Sequence, residues 1–498
     1  MGFWTTSHRF FLVVALFFTS ESLAENYPIV DTQQERTFGN REEIRYPQSG
    51  EPFFGQDAQY RGHVPSYRDN GDGTISDLVT GLMWQKDPGS KKTFSQAVAG
   101  ARRCREGGYD DWRLPSIKEL YSLILYSGED VGHQVTDTAR LKPFIDTDYF
   151  GFVYGNRAKG ERIIDSQMAS STQYVSTTMH GNKTMFGVNF ADGRIKGYPT
   201  GSVRRGGPQK GYYVFYVRGN PKYGKNDFLD NGDATITDRA TGLMWAQNDS
   251  GHLRAGARGD GKMNWEEALR WAENLQYAGH SDWRLPNIKE LQSIVDYTRS
   301  PDASRSPAID PKFRVTPIRD PAGNRNYPFY WSSTTHKRDG AGAAAAYVAF
   351  GRSQGWMRSR SGGYELLDVH GAGSQRSDPK AGDASRFPRG RGPQGDVIGI
   401  ENMVRPVRGG VASVRTGGPP VAERSGPGRS RAEPRGSDRR QPGFVQRLDR
   451  NADGRVSRKE FDGPPDAFDR LDTNRDGYLE ESERPQHRGP PPRGPRPR

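Results

Sequence analysis

Residues 69–84 read DNGDGTISDLVTGLMW, and residues 230–245 repeat them as DNGDATITDRATGLMW. In each copy an Asp- and Gly-rich turn comes before a short apolar run, which favours a β-hairpin. A second motif, DWRLP, occurs at residues 111–115 and again at 282–286. The separations are domain-sized, so the pattern predicts two tandem domains rather than a solenoid of short repeats.

Two further motifs extend the repeat. The segment YVSTT at 174–178 is matched with YWSST at 330–334, and each copy closes with Val-Arg-Gly, at 217–219 and 407–409. The repeat therefore predicts one domain over residues 65–219 and a second over residues 226–409.

Each copy also carries two helix starts. TFSQ at 93–96 and NWEE at 264–267 fit the capping box, as do SIKE at 116–119 and NIKE at 287–290. Together with short aromatic strands, such as those at 186–190 and 347–350, they predict an α+β fold. Helical spacing predicts these apolar faces: Phe94, Ala97, Val98, Ala101 and Cys104; Trp265, Ala268, Leu269, Ala272 and Leu275; Ile117, Leu120, Leu123 and Ile124; Ile288, Leu291, Ile294 and Val295.

These ordered motifs resemble the Lcl C-terminal domain family of bacteria. The resemblance implies a C-type-lectin-like fold, shared with formylglycine-generating enzymes, in both tandem domains. It also implies exported adhesins that bind sulphated polysaccharides, although a fold does not fix a function. Related domains often pair the cysteine at the position of Cys104 with one near the closing Val-Arg. Here Tyr216 and Pro406 stand at that second position.

Two twelve-residue segments near the C-terminus, 449–460 and 472–483, both begin Asp-x-Asn-x-Asp-Gly and both end in Glu. Calcium takes six to eight oxygen ligands, and this spacing places side-chain oxygens at positions 1, 3, 5, 9 and 12. Glycine at position 6 permits the sharp turn that brings these oxygens together. Two acidic surface turns are the alternative, but two full matches with flanking apolar residues favour calcium loops.

The two segments resemble an EF-hand pair over about residues 444–484, and position 8 is apolar in both loops, as pairing through a short strand requires. The loops are separated by Gly463-Pro464-Pro465, so the helix leaving the first loop must be short. The predicted Ca²⁺ ligands are the side chains of Asp449, Asn451, Asp453, Ser457 and Glu460, the side chains of Asp472, Asn474, Asp476, Glu480 and Glu483, and the backbone carbonyls of Arg455 and Tyr478.

The N-terminus predicts export. A short apolar run, residues 10–18, precedes Ser22-Leu23-Ala24, which fits a signal peptide over residues 1–24 with cleavage near Ala24. The run is too short to span a bilayer, and an uncleaved anchor is the alternative. We therefore expect an exported protein, periplasmic or extracellular, without a transmembrane segment. Its single cysteine excludes an internal disulfide framework.

The net charge of +12 is concentrated in two stretches. Residues 411–443 contain seven Arg against three acidic residues, and the tail from Arg484 contains five Arg and no acidic residue. Both stretches are rich in Pro and Gly, which predicts a disordered linker over 410–443 and a disordered tail over 485–498. Export and the lack of interleaved aromatic residues argue against nucleic acid, so a solvated linker or attraction to anionic polysaccharide is expected.

Other candidate sites favour structural roles. Cys104 has no second thiol and lies on a predicted helix face, so a buried hydrophobic role is favoured over catalysis. The aspartates of the repeated turn, such as Asp69 and Asp72, are offset from calcium-loop spacing and fit a hairpin turn better. Trp112 and Trp283 could stack on sugars, but their neighbours favour the core.

The sequence thus predicts an exported calcium-binding protein with two lectin-like domains, a disordered Arg-, Gly- and Pro-rich linker and a small all-α EF-hand pair. Its expected role is non-catalytic recognition of a surface or a glycan. An enzyme acting on envelope or matrix substrates and a purely structural surface protein are the alternatives.

Overall fold

The computed structural model describes residues 26–131, 135, 138–202, 207–359, 361–410, 413–415, 417–419, 455–458, 460–461, 465–472 and 477–479. The chain divides into two compact units, Met1–Ala422 and Glu423–Arg498. The expected signal peptide, most of the expected linker and the basic tail lie outside the described residues.

The described part of the first unit starts with a segment that no motif predicts, residues 26–66, and continues into the first repeat. The segment contains β1 (Thr37–Phe38), β2 (Glu43–Ile44), a 3-10 turn (Asp57–Gln59) and β3 (Tyr60–Arg61). Domain 1 contains β4 (Tyr67–Asp69), β5 (Thr74–Asp77), β6 (Leu82–Gln85), α1 (Phe94–Ala101), a 3-10 turn (Glu106–Gly108), α2 (Ile117–Ser122), a 3-10 turn (Arg157–Lys159), β7 (Gln167–Gln173), β8 (Thr184–Asn189), β9 (Arg194–Pro199) and β10 (Val217–Gly219).

Domain 2 repeats this order with additional hairpins. It contains β11 (Phe228–Asp230), β12 (Thr235–Asp238), β13 (Leu243–Ala246), α3 (Trp265–Glu273), α4 (Ile288–Ser293), β14 (Ile318–Arg319), β15 (Arg325–Asn326), β16 (Phe329–Arg338), β17 (Ala341–Ala349), β18 (Gln354–Arg358), β19 (Tyr364–Asp368), β20 (Gln375–Pro379), a 3-10 turn (Ala384–Arg386) and β21 (Val407–Arg408). A last strand, β22 (Ser413–Val414), follows it.

The two repeats share one continuous sheet. Its strand order is β16-β17-β20-β9-β8-β7, with β20 and β9 antiparallel at the boundary, where Ile195 lies opposite Gln375. Each domain adds a smaller four-stranded sheet, β4-β5-β6-β10 in domain 1 and β11-β12-β13-β21 in domain 2. The matching orders give the pair an approximate internal two-fold arrangement. Most of the described secondary structure is β-sheet with short helices, so the tandem unit is richer in β-structure than the α+β prediction implies.

The repeated turn is the hairpin that the sequence predicts. β4 pairs with β5 and β11 with β12, both antiparallel, so the aspartate-rich residues form the connection. In domain 1 the last turn residue is Gly73, with φ +86°, and in domain 2 it is Ala234, with φ +70°. Both residues therefore occupy left-handed backbone, which glycine adopts without strain and alanine does not.

The remaining shared motifs contact one another, which explains why they occur together. The backbone N–H of Arg113 donates to Val217 O, and that of Arg284 donates to Val407 O. The closing arginine then binds the first residue of DWRLP, with Arg218 Nε 2.6 Å from Asp111 Oδ1. Domain 2 repeats the contact between Arg408 and Asp282 at 2.7 Å. DWRLP is thus a structural link between the strand that closes each domain and the following helix.

All four predicted capping boxes are present in the structure. The apolar faces of α2 and α4 are buried as predicted, and so are Trp112 and Trp283. Two predictions on α1 are wrong: Val98 is 42% exposed, and Cys104 is only partly buried, at the end of the turn that follows the helix. An eight-residue helix on the sheet has room for a narrow buried stripe, and Ala97 and Ala101 fill it.

The sequence alone aligns the third motif of the two repeats incorrectly. Thr334 Oγ1 accepts a hydrogen bond from Ile288 N, the first residue of α4, at 3.0 Å. In domain 1 the equivalent bond, from Ile117 N at 2.9 Å, is accepted by Thr172. The counterpart of Ser332-Ser333-Thr334 is therefore Ser170-Ser171-Thr172 and not residues 176–178.

The expected linker does not begin at residue 410. β22 pairs with β3, placing Ser413 opposite Arg61 and Val414 opposite Tyr60, and Arg415 N donates to Gln59 O at 2.7 Å. The chain that leaves domain 2 is thus held by the N-terminal segment over these residues.

Candidate functional site

The described part of the second unit contains β23 (Val456–Ser457), α5 (Pro465–Leu471) and β24 (Tyr478–Leu479). β23 and β24 are antiparallel, with Val456 opposite Leu479. These are the position-8 residues of the two predicted calcium loops, so their predicted pairing through a short strand is confirmed. Val456, Phe468 and Leu479 form a small buried core, with Phe461 and Leu471 packed against it.

Loop one places two of its predicted ligands in contact. The backbone N–H of Ser457 and its hydroxyl both donate to Glu460 Oε2, at 2.9 and 2.6 Å. Ser457 is position 9 of the loop and Glu460 is position 12, and Glu460 is only 8% exposed. A nearly buried carboxylate beside a hydroxyl is an oxygen-donor set that suits a hard cation.

Loop two begins at a carboxylate that is also nearly buried. Asp472, at position 1, is 8% exposed, and its Oδ2 accepts a hydrogen bond of 3.0 Å from the backbone N–H of Gly477 at position 6. Gly477 has φ +86°, as the sharp turn of such a loop requires. The Arg455 guanidinium carbon lies 4.6 Å from the Tyr478 ring centroid.

Of the twelve predicted ligands, Arg455, Ser457, Glu460, Asp472 and Tyr478 are among the described residues. Asp449, Asn451, Asp453, Asn474, Asp476, Glu480 and Glu483 lie outside them. Within the described ranges alone, no group of three His, Cys, Asp or Glu side chains could hold a metal ion.

The tandem unit has a cleft of about 740 Å³ between its two domains. One wall is the start of α2, with Arg113, Ser116 and Glu119, together with Ser171 and Thr172 on β7. The other wall consists of Pro221, residues 223–226, Phe228, residues 294–298 and Asp310. Arg113 forms an ion pair with Glu119 and also donates to Gly219 O at 3.1 Å, so the guanidinium is fixed at the edge of the cleft.

Two lysines join the domains: Lys118, which is half-buried and lines the cleft, and Lys289, which is buried. Lys118 Nζ donates to Ser293 O at 2.6 Å, and Lys289 Nζ donates to Ser122 O at 2.9 Å. Burial lowers the pKa of Lys118 to about 8 and that of Lys289 to about 7. The sequence reasoning missed their role, although a signal was present: both repeats place a lysine at the same position of a helix whose neighbouring residues form a buried stripe.

Buried polar clusters elsewhere in the tandem unit fasten strands together. Arg194 Nη2 donates to Asp130 Oδ2 at 2.9 Å and lies 3.3 Å from His336 Nδ1, which contacts Ser377 Oγ at 2.8 Å. Burial, aided by Arg194, lowers the pKa of His336 to about 3, so the imidazole is neutral and weakly basic. The contacts among Arg194, His336 and Ser377 thus link β9, β16 and β20.

Cys104 also contacts a neighbouring strand, β6. Its Sγ accepts a hydrogen bond of 3.4 Å from Gln85 Nε2, and burial raises the pKa of the thiol. A raised pKa leaves the thiol protonated and poorly nucleophilic near neutral pH.

The fold and motifs define a tandem pair of β-rich domains that share one sheet. The Lcl C-terminal domain family matches residues 73–218 and again residues 234–367, together more than half of the chain. The chain belongs to this family. No curated protein and no solved structure matches it. In the parts of the chain that the structure describes, no helix is long and apolar enough to cross a membrane.

Proposed function

We propose that this chain is an exported calcium-binding recognition protein, in which the tandem Lcl C-terminal domains bind a surface ligand and the C-terminal loops bind Ca²⁺. The observation that carries the calcium assignment is the arrangement of the second unit. Its two loops meet through Val456 and Leu479, and each presents a nearly buried carboxylate, Glu460 or Asp472. These carboxylates lie at positions 12 and 1 of their loops, where a calcium loop supplies side-chain ligands.

The twelve predicted positions supply the ligands in this proposal. Ser457 and Glu460 would contribute to the first site and Asp472 to the second, with carbonyls of Arg455 and Tyr478 completing the sets. When bound, Ca²⁺ supplies the positive charge that seven or so oxygen ligands require. The core of the pair is small, so metal binding should contribute much of its folding free energy.

The tandem unit supports a binding role rather than a catalytic one. The buried His336 and the partly buried Ser377 and Cys104 serve as links between elements, and the pKa shifts of His336 and Cys104 make them a poor base and a poor nucleophile. The large cleft between the domains instead offers hydroxyl, guanidinium and amide groups that could contact a ligand. Anionic polysaccharide, expected from the family resemblance and from the basic stretches, stays a prediction, as do export and signal-peptide cleavage near Ala24.

Calorimetric titration of the full mature chain with CaCl₂ tests the calcium assignment. We expect two sites with dissociation constants of the order of 10⁻⁴–10⁻³ M, because extracellular EF-hand-like modules fall in that range. Replacing Glu460 and Glu483 by Gln in one variant should abolish both sites and leave the tandem unit folded. Glu401→Gln, an exposed glutamate of domain 2, is the matched control. Unchanged titration heats in the double variant would refute the assignment.

A further inference from the structure

The two domains have equivalent clefts, and one of them is already filled by the chain itself. In domain 2, the N-terminal segment places Asp57 against the start of α4. Asp57 Oδ2 accepts hydrogen bonds from Thr334 Oγ1 at 2.6 Å and from Thr32 Oγ1 at 2.8 Å. Three residues later, the Tyr60 ring centroid lies 5.4 Å from the Arg284 guanidinium carbon. Only about 10 Å³ of free space remains there.

Domain 1 presents the same groups without such an occupant. Thr172 is the equivalent of Thr334, because each accepts a hydrogen bond from the first backbone N–H of the second helix of its own domain, α2 or α4. Arg113 is the equivalent of Arg284, because each pairs with the capping-box glutamate and with the backbone of the closing Val-Arg-Gly. The Arg113 side chain is 36% exposed, whereas that of Arg284 is 5% exposed.

The hydroxyl residues show the same contrast. Thr334 is fully buried, whereas Thr172 is half-buried. Ser333 is also fully buried, and its domain 1 equivalent Ser171 is exposed. The cleft of about 740 Å³ described above is the open counterpart in domain 1, and we call it the domain 1 cleft. It is large enough to admit several side chains.

The difference arises from a segment that occurs once in the chain. Tyr27 and Tyr223 mark equivalent points, with ring centroids 4.6 Å apart across the domain boundary. After Tyr223 the chain runs directly into β11, which begins at Phe228. After Tyr27 it makes the long excursion over domain 2 before β4 begins at Tyr67. Among the residues that the structure describes, domain 1 therefore has no such segment over its own cleft.

We propose that the domain 1 cleft binds an extended segment of a partner protein that offers an acidic side chain to Thr172 and, three residues later, an aromatic ring to Arg113. The hydroxyl of Thr172 can donate to a carboxylate while its oxygen still accepts from Ile117 N. The guanidinium of Arg113 is held by Glu119, so its face can receive an aromatic ring at little entropic cost.

The charges around the cleft define how the segment must enter. Lys225 is exposed and lines the same cleft, where its positive charge favours an acidic residue of the ligand. Asp296 and Asp310 also line the cleft, and their charges disfavour further acidic residues. The preferred ligand therefore carries one acidic residue rather than an acidic run.

The probe is the segment that the chain itself uses, a fluorescent peptide of residues 54–62, FGQDAQYRG. Anisotropy titration against the full mature chain should give saturable binding with a Kd below about 1 mM, since a free peptide loses ordering entropy that the covalent segment does not. Peptides with Ala at the position of Asp57 or of Tyr60 should bind at least about tenfold more weakly.

Two variants of domain 1 locate the binding. Thr172→Val should weaken binding by about tenfold or more, and Thr172→Ser should retain it, because serine keeps the hydroxyl. Ser171→Trp provides a second test that leaves the core untouched, since Ser171 is exposed and a large ring would fill the cleft. Thr334→Val is the matched control in domain 2 and should not weaken binding of the added peptide.

The proposal would be overturned by the absence of saturable peptide binding to the folded chain. It would be equally overturned if binding survived both Thr172→Val and Ser171→Trp unchanged. Binding of heparin, but not of peptide, that Ser171→Trp abolishes would assign the cleft to polysaccharide instead. The titration is run in chelator and again in calcium, so its result does not depend on the C-terminal loops.

Discussion

Lys118 and Lys289 each donate a hydrogen bond to the carbonyl that ends the other's helix. Lys118 on α2 reaches Ser293 O at the end of α4, and Lys289 on α4 reaches Ser122 O at the end of α2. Ser122 and Ser293 occupy equivalent positions in the two repeats. The last carbonyls of a helix have no partner within it, and cations near a helix C-terminus are favourable. The two domains thus cap each other's helices.

Replacing either lysine by methionine should weaken the tandem unit. At pH 9 both amines are largely neutral, because burial lowers their pKa values to about 7 and about 8. The substitution then removes hydrogen bonds without removing a charge, and each buried carbonyl left without a donor costs about 1–3 kcal/mol. We expect Lys289→Met and Lys118→Met each to lower the unfolding midpoint in calorimetry at pH 9. Lys222→Met, at an exposed lysine, is the control, and equal midpoints for all three variants would contradict the reciprocal capping.

Asp57 should make stability fall as the pH rises through the acidic range. Burial, with a smaller contribution from Asp31, raises its pKa to about 7, so the folded chain holds a proton that the unfolded chain releases near pH 4. This contribution is fully present below about pH 4 and is lost as pH rises towards 7, with a slope of at most about 1.4 kcal/mol per pH unit. Asp57→Asn keeps an oxygen for Thr32 and Thr334 but cannot ionise.

The Asn variant should therefore gain stability relative to the parent between pH 4.5 and pH 8. Thermal unfolding of both chains at the two pH values measures this difference. Other buried acids with raised pKa values, such as Asp368 and Asp378, are present in both chains and cancel in the comparison. If the difference in stability between the two chains were the same at both pH values, Asp57 would not be the group that takes up the proton.

The repeated features of the fold could be predicted because they depend on nearby residues. The hairpin turn, the four capping boxes and the buried stripes of α2 and α4 all follow from local spacing. The N-terminal segment could not be predicted in the same way. Its contacts are remote: Gln34 exchanges two hydrogen bonds with the backbone of Thr335, 301 residues away. Nothing in residues 32–63 has a period or motif that would reveal this partner.

The candidate sites also include one that the sequence predicts and one that it does not. The calcium-loop pattern is readable because each loop supplies its own ligands within twelve residues. The domain 1 cleft is not readable from Arg113 or Thr172 alone, since their equivalents Arg284 and Thr334 are buried in domain 2. The cleft is open because the N-terminal segment occurs once in the chain and packs on domain 2. This asymmetry becomes visible only in the folded pair of domains.

Exchanging the last turn residue between the two hairpins should have opposite effects on stability. Ala234 holds φ +70°, a conformation that costs a residue with a Cβ roughly 1–2 kcal/mol. Ala234→Gly removes this strain and adds chain entropy to the unfolded state, so we expect a net gain of at most about 1 kcal/mol. Gly73→Ala should lose about 1 kcal/mol, because it introduces the strain at φ +86°. Denaturant unfolding measures both, and destabilisation by Ala234→Gly would contradict the argument.

Calcium removal should leave the tandem unit intact. Its aspartate turns are satisfied internally: Asp69 Oδ1 accepts from Gly71 N at 3.0 Å, and Asp72 Oδ1 accepts from Thr74 N at 3.1 Å. Calorimetry of the full chain with calcium and with chelator should therefore show the same main transition. The variant lacking Glu460 and Glu483 serves as the control for any effect transmitted from the C-terminal loops. A large fall of the main transition in chelator, persisting in that variant, would restore the turns as metal sites.

The two calcium loops should differ in affinity, with loop two filling first. Loop one has three acidic predicted ligands, and four basic residues lie within it. Loop two has four acidic predicted ligands and a single basic residue. Ligand charge raises the affinity of such loops, and nearby cations repel the ion through the same Coulomb interaction. We therefore expect Asp472→Ala to abolish the tighter site in calorimetric titration of the full chain, and Asp449→Ala to abolish the weaker one.

Pairing of Val456 with Leu479 couples the loops, so each variant also needs a check of folding by circular dichroism. A structural control is Leu479→Ala, which weakens the shared core without touching a ligand. It should lower both affinities together, whereas each aspartate variant should act mainly on its own loop. If Asp449→Ala removed the tighter site while Asp472→Ala left it intact, the electrostatic ranking would be wrong, and the backbone geometry of loop one would have to outweigh its basic residues.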